Sequence, residues 1–344
     1  MQPIILTISG IHQEAEGFKT FTFSDDHAIH YKAGQYLTFI YHTKTQELRR
    51  SYSIVSSPIL NEPLAIGVKR ISNGVFSREL IDHACIGDQL KCTGAGGLFT
   101  LPENINSYKQ VFFFAAGSGV TPIYSLVKTA LAAHAHLSIV LIYSNHSPKR
   151  VVYREQLQTL MMNFPGRFHT EFLYGDSPSL STARLNRELL VELINKHLVC
   201  RLDEALYYIC GPEAYMRMCI YALQEEKVPR QNIKRENFIV ENKIVPKVEP
   251  PDKSSHIVFL QYAGNNYTIE VNYPDTILKA AHRHNIDLPY SCETGRCGNC
   301  LAKCTSGNVW LSYNEVLTEK DLEKGLTLTC VGHPVNGDVQ LEIG

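Results

Sequence analysis

Over the first hundred positions, apolar and polar residues alternate in short runs. Phe18–Phe23, Tyr36–Tyr41 and Leu64–Lys69 show the two-residue period of a half-buried strand, and Gly, Asn and Pro turns separate them. That pattern predicts an antiparallel β-barrel over residues 1–103. The period then changes. Between 104 and 240 the apolar strand Gln110–Ala116 leads through glycines into a helical pattern at Ile123–His134. The strand Leu137–Tyr143 is followed by a second helical stretch, Val152–Met162, and Glu204–Cys210 by a third that runs towards Gln224. Strand and helix in alternation predict an α/β domain on a parallel sheet. At 241–255, Pro246, Pro250 and Pro251 lie among charged residues and predict an exposed, semi-rigid linker. Over 256–344, the strands His256–Tyr262 and Tyr267–Val271 flank Ala263–Asn266 as a hairpin. Asp275–His284 reads as a helix with Leu278, Ala281 and Ile286 facing inward.

With 344 residues the chain exceeds one comfortable core, in keeping with a multidomain protein. Its 44% hydrophobic and 19% charged residues are ordinary for a soluble globular chain, and no apolar run approaches the ~18 residues that cross a bilayer. Met1–Leu6 lacks the basic start of a signal peptide, so a cytoplasmic protein without membrane attachment is expected. A net charge of −1 with no basic block argues against a nucleic-acid binder. The charge is uneven: from Lys253 onward seven Lys and Arg face ten Asp and Glu, a net of −3, against +2 for the remainder. An acidic module on a slightly basic body suggests where a partner docks.

Cysteine carries the most specific chemistry. Cys292, Cys297 and Cys300 lie within nine residues and Cys330 follows at a distance, the spacing of a plant-type [2Fe–2S] ligand set. Four thiolates must converge on two irons, so a short loop supplies three and a distant segment closes the cage. Gly295 and Gly298 let the backbone wrap close to the sulfides. A structural zinc site prefers paired Cys-x2-Cys knuckles, and a disulfide framework suits a small secreted chain. Cys304 reads as a buried small apolar residue, and His282 and His284 as helix surface rather than Rieske-type ligands. The other cysteines, Cys85, Cys92, Cys200, Cys210 and Cys219, are expected as reduced thiols.

Two further groupings suit phosphorylated ligands. Arg50 offers a forked cation, Tyr52 a flat face for a ring and Ser53 a hydroxyl for a ring nitrogen, while Gly74–Ser77 presents backbone N–H groups and a hydroxyl at a helix start. Further on, Gly117–Pro122 and Cys210–Glu213 each join an apolar strand to a helix. Singly, each has a plain alternative: strand surface for Arg50–Ser53, tight packing for Cys210–Pro212, and a solvated charge patch for Lys149 and Arg150.

In order and spacing these motifs resemble the ferredoxin-NADP reductase superfamily. Gln35–Leu37, Arg50–Ser53 and Gly74–Ser77 are similar to its flavin domain, and Ala115–Pro122 with Cys210–Glu213 and Glu236–Phe238 to its pyridine-nucleotide domain. The hairpin, helix and cysteine loop resemble a β-grasp ferredoxin domain. The resemblance implies Arg50, Ser51, Tyr52, Ser53, Gly67, Lys69, Gly74, Val75, Phe76 and Ser77 as flavin contacts, with Tyr52 stacked on the ring and Ser53 near its N5. FAD is the family default, and FMN stays open. It implies Gly117, Ser118, Gly119, Thr121, Pro122, Cys210, Gly211, Pro212 and Glu213 around a nicotinamide nucleotide, the Cys210 thiol near the reacting carbon. Ser144, Lys149 and Arg150 sit where a 2′-phosphate is bound, and no acidic residue directly follows the second strand, which favours NADPH over NADH.

The domain order flavin, nucleotide, ferredoxin is similar to that of ferredoxin-tailed reductases such as the reductase component of phenylacetyl-CoA epoxidase. The implied function is electron transfer from NAD(P)H through FAD and a [2Fe–2S] cluster to a partner such as a di-iron oxygenase, with Ser53 and Cys210 shaping the hydride step. A stand-alone flavin reductase and a redox-sensing iron–sulfur protein are the alternatives.

Overall fold

The computed structural model describes residues 3–25, 27–179, 183–238 and 248–343. Alternating side chains put one face of each N-terminal strand inward. β1 (Ile4–Ala15), β2 (Phe18–Phe23), β3 (Tyr36–His42), β4 (Glu47–Ser53), β5 (Ala65–Lys69) and β6 (Gln89–Gly96) form an antiparallel six-stranded sheet in the order β4-β3-β6-β1-β2-β5. A bridge between Ile54 and Ile66 joins its two edges, so the sheet closes as the expected barrel. Leu6, Phe21, Phe23, Leu37, Phe39 and Ile66 fill the interior with no exposed surface. Each such side chain contributes roughly 1.5–3 kcal/mol by burial. α1 (Val75–Asp82) adds Phe76 and Leu80 to the same core.

The chain then alternates strand and helix: β7 (Gln110–Ala116), α2 (Val120–Ala133), β8 (Ser138–Asn145), α3 (Arg154–Asn163), β9 (Phe168–Tyr174), α4 (Arg187–His197), β10 (Ala205–Cys210), α5 (Glu213–Glu225) and β11 (Ile233–Glu236). The strands make a parallel sheet in the order β11-β10-β7-β8-β9. Val111 and Phe113 of β7 pack with α2 and α3, and Phe112 and Phe114 with α4 and α5. Burial on both faces is why β7 is continuously apolar. The helix expected from Val152 begins at Arg154, because Tyr153 is left-handed at φ 60°. The apolar cluster of α2 and α3 runs on into Phe18, Val55, Ala65 and Phe99. Barrel and parallel sheet accordingly form one compact unit, Ile4–Ile239, and the change of architecture near residue 103 is no break in packing.

The second compact unit covers the chain from Val240 onward. It holds β12 (His256–Tyr262), β13 (Asn265–Val271), α6 (Ile277–Arg283), β14 (Leu301–Leu311), α7 (Glu319–Glu323), β15 (Leu326–Leu328) and β16 (Gly332–Ile343). The sheet order is β13-β12-β16-β14-β15, with β12 parallel to β16, and α6 buries Ile277, Leu278, Ala280 and Ala281. The hairpin is tighter than Ala263–Asn266: Tyr262 pairs with Asn265, leaving a two-residue turn with Ala263 at φ 51° and Gly264 at φ 77°, the type I′ geometry that matches strand twist. The linker expectation divides. Residues 241–247 lie outside the described residues, whereas Pro250 is buried. Asp252 accepts from the backbone N–H of Ser254 and of Asn336, both at 2.8 Å, and from His256 Nε2 at 2.6 Å. Residues 248–255 are thus fastened to this unit at Pro250 and Asp252, while 248, 249, 251 and 253–255 are exposed.

Candidate functional site

In a parallel sheet, ligands settle outside the carboxyl ends of neighbouring strands whose connections leave to opposite sides. Here those strands are β7 and β10. A 3-10 turn, Gly117–Gly119, follows β7, and Cys210 ends β10, with Gly211 after it. Gly119 lies directly on the backbone carbonyl of Cys210, so no side chain fits there without forcing the two strand ends apart. That approach brings two distant motifs to one crevice. Thr121 Oγ1 donates to Ser118 O at 2.9 Å. The Tyr143 hydroxyl donates to Gly117 O at 3.0 Å and accepts from Val152 N at 3.3 Å, and Tyr215 donates to Ala115 O at 3.2 Å. Two tyrosines that no motif singles out therefore brace the glycine turn. Pro122 is buried in the first turn of α2; Gly211 packs on Ala116; Pro212 caps α5 and Glu213 begins it, exposed. Ser144 ends β8 in register with Ala116, and Lys149 and Arg150 are exposed in the turn beyond.

Cys210 is fully buried, in register with Ala115 on one side and Glu236 on the other. Burial pushes its thiol well up, and the nearby Glu236 charge pushes it further. Glu236 is itself pushed up to about 8 by burial, and its Oε2 is buried with no hydrogen-bond partner among the described residues. At neutral pH the crevice thus holds a neutral thiol beside a protonated carboxyl.

On the barrel, β4 pairs with β3 and the two-residue period puts Arg50 and Tyr52 on one face, Ser51 and Ser53 on the other. Tyr52 packs against Phe39 and Phe76, with ring centroids 6.1 and 5.9 Å away, and burial pushes its hydroxyl up. Arg50 is exposed, its Nη1 donating to Arg49 O at 2.8 Å. Ser51 meets Thr38 Oγ1 at 2.9 Å, and Ser53 is buried. Gly74 caps α1, but the Ser77 hydroxyl accepts from Ile71 N at 3.3 Å and braces the turn itself. The Phe76 side chain stacks on Tyr41 at 4.7 Å. The turn offers a ligand the first-turn N–H groups of Val75–Ser77. Gly67 is pressed by Thr121 and Tyr153, and Lys69 is exposed.

The cysteine loop gathers its thiols tightly. Cys300 Sγ lies 3.1 Å from Cys330 Sγ, and Thr294 N and Asn299 N donate to the sulfurs of Cys292 and Cys297 at 3.4 and 3.5 Å. Hydrogen bonds from Cys297 and Cys330 hold the Cys292 thiol well below its usual range. Gly295 and Gly298 have φ of 73° and 75°, so the loop curls in a way that side chains resist. All ten cysteines are free of disulfides. Cys304 corrects the sequence reading: it is partly exposed on β14 and donates to Ser306 O at 3.3 Å. His282 on α6 and His284 at its C-terminal cap are both exposed.

Three family descriptions match in series: Oxidoreductase FAD-binding domain over residues 6–101, Oxidoreductase NAD-binding domain over 113–220, and 2Fe-2S iron-sulfur cluster binding domain over 260–335. The chain is 30% identical to a 1,2-phenylacetyl-CoA epoxidase subunit of Escherichia coli (strain K12), over 98% of this chain and 96% of that one. The chain belongs to the ferredoxin-NADP reductase superfamily, in the group with a C-terminal [2Fe–2S] domain. It is 29% identical to the ferredoxin reductase component of 3-ketosteroid-9-alpha-monooxygenase of Mycobacterium tuberculosis (strain ATCC 25618 / H37Rv), over 91% of this chain and 85% of that one. It shares the fold of phthalate dioxygenase reductase, with a TM-score of 0.61 at 21% identity over 99% and 98% of the two chains.

This superfamily member is an NAD(P)H-dependent electron-transfer reductase with FAD, a [2Fe–2S] cluster and a nicotinamide nucleotide as cofactors. Its residues fit those groups. The four thiols with two N–H donors on their sulfurs suit a cluster, and the space beside Gly117, where an added Cβ would touch nothing within 4 Å, suits a phosphate. Among the described residues no helix is long and apolar enough to cross a membrane.

Proposed function

We propose that this reductase takes hydride from NADPH in the crevice between β7 and β10 and delivers electrons to an oxygenase component. The observation that carries the reading is the seating of Gly119 on the Cys210 backbone, with Glu236 in register beside it. Both acidic groups are held neutral, so an uncharged dihydronicotinamide ring meets no buried charge there. Arg50 and the N–H groups at the start of α1 would hold the flavin pyrophosphate, and Tyr52 and Ser53 would border its ring. Gly117–Thr121 receives the nucleotide pyrophosphate, and Lys149 and Arg150 the 2′-phosphate. Cys292, Cys297, Cys300 and Cys330 hold the cluster. When bound, the flavin takes up the two electrons of a hydride and the cluster accepts them singly. The relatives named above are components of oxygenase systems, so an oxygenase is the proposed acceptor, in the di-iron class expected from the motifs. Ten unbridged cysteines suit the reducing cytoplasm. Residues 1–103, 104–240 and 256–344 are the proposed flavin, nucleotide and ferredoxin divisions.

Anaerobic mixing with NADPH and, separately, with NADH tests this, with flavin bleaching followed optically and the cluster by electron paramagnetic resonance. Faster bleaching with NADPH, followed by a reduced [2Fe–2S] signal, is expected. Faster bleaching with NADH would move Lys149 and Arg150 out of the site. Bleaching without a cluster signal would leave a stand-alone flavin reductase.

A further inference from the structure

The segment that leaves Ser53 lies along α2, the helix that starts from the glycine turn. Ser125 Oγ donates to Ser56 O at 2.6 Å, and Ser57 Oγ meets Thr129 Oγ1 at 2.8 Å. The Lys128 ammonium pairs with the Glu62 carboxylate, which also accepts from Ser57 N at 2.8 Å. Ser125, Lys128 and Thr129 occupy one face of the helix by their spacing of three and four. One rigid element thus carries the nucleotide turn at its start and a polar seam to the flavin strand farther along. The Lys128 side chain is 8% exposed. Glu62 is half-buried, and desolvating the Lys128 ammonium offsets much of the pair's attraction, so stability alone is a poor account of it.

The seam continues through aromatic rings. Lys128 Nζ stands 4.5 Å over the Tyr124 ring, and Tyr124 stacks on Tyr153 with centroids 4.4 Å apart and planes 14° from parallel. The Tyr153 hydroxyl meets Thr20 Oγ1 at 3.0 Å, and Thr20 and Gln156 both donate to Glu14, at 2.8 and 2.9 Å. Tyr153 is buried in a left-handed conformation, φ 60°. A bulky residue holds that conformation only where its surroundings impose it, and such strain collects at functional positions.

We propose that the Glu62–Lys128 pair and the Tyr124–Tyr153 stack are positioning residues for hydride transfer, setting the separation between the Ser53 strand and the glycine turn. The proposal rests on the hydride-transfer reading of that crevice. Three variants test it in the full holoprotein: Glu62→Gln, Lys128→Met and both together. Glu62→Gln leaves the buried Lys128 charge unpaired and should melt earlier, Lys128→Met leaves the half-buried Glu62 carboxylate and should cost less, and the double variant removes both charges and should recover most of the melting temperature.

The deciding readouts on the double variant are the long-wavelength charge-transfer absorbance formed when nicotinamide stacks on flavin, and the limiting rate of flavin bleaching against its half-saturation. We expect a weakened band and a limiting rate lower by about tenfold or more, with FAD content, half-saturation and cluster signal as in the parent. A double variant with the parent's band and rate would overturn the proposal. If it does not fold, Ser125→Ala, which removes one neutral seam bond, must still weaken the band, and a parental band would overturn the proposal equally. A parent that neither forms the band nor bleaches would overturn the hydride reading itself and this inference with it.

Discussion

Three of the four thiols in the C-terminal unit arrive on one loop, Cys292, Cys297 and Cys300, and only Cys330 comes from elsewhere. In the N-terminal unit each crevice group comes from a different element: Gly119 after β7, Cys210 at the end of β10, Glu236 at the end of β11. The first site is made by local spacing, and the second by the register of three parallel strands. Damage to the loop should therefore stay local, while damage to the crevice should register as lost geometry with every cofactor still bound.

Cys297→Ser tests the local site most severely. It should abolish the reduced cluster signal and electron delivery to a one-electron acceptor while nucleotide-driven bleaching stays within about twofold, since only one ligand of four is lost. Retained delivery would remove the cluster from the path. Gly119→Ala is the counterpart in the crevice. Its Cβ would meet the Cys210 carbonyl, a strain of about 1–3 kcal/mol, and the bleaching rate should fall roughly 100-fold as the reacting groups misalign. Parental bleaching would show that the two turns need not touch.

Arg50→Ala should weaken flavin retention roughly tenfold, within the ~1.5–3 kcal/mol of a charged hydrogen bond. Flavin content equal to the parent's after dialysis would rule out that contact. Glu236→Gln has the smallest expected effect. An unfolded glutamate ionises near ~4.3, and the folded Glu236 near about 8. Across that window the folded state binds the extra proton, so this group's contribution to stability is fully present below the lower value and is lost as pH rises through the upper. The variant should flatten the fall in melting temperature between about pH 5 and 8, and an unchanged pH slope would show that the carboxyl is not held protonated.

Much of the fold was legible because it is written in periods. Alternation marked the barrel strands, the unbroken apolar run Val111–Ala116 marked a strand covered on both faces, and the cysteine spacing marked its own ligand set. Less of the crevice was legible. Glu236 looked like the first residue of the Glu236–Phe238 match, and its raised proton affinity arises from burial next to Cys210, which no spacing reports. No motif singled out Tyr143 or Tyr215; their hydroxyls brace the glycine turn only because β8 and α5 carry them there. The Ser77 hydroxyl also accepts from Ile71 N, a bond that no spacing reports.

By itself the sequence determined which chemistry is present, since a thiol quartet, a forked cation before an aromatic ring and two glycine turns are properties of residue type and local spacing. Tertiary structure alone decided which groups share an environment. Contact between Gly119 and Cys210, the proton on Glu236 and the pairing of Glu62 with Lys128 all depend on separations set by packing, and both electrostatic energy and desolvation depend on distance in space, not on distance along the chain.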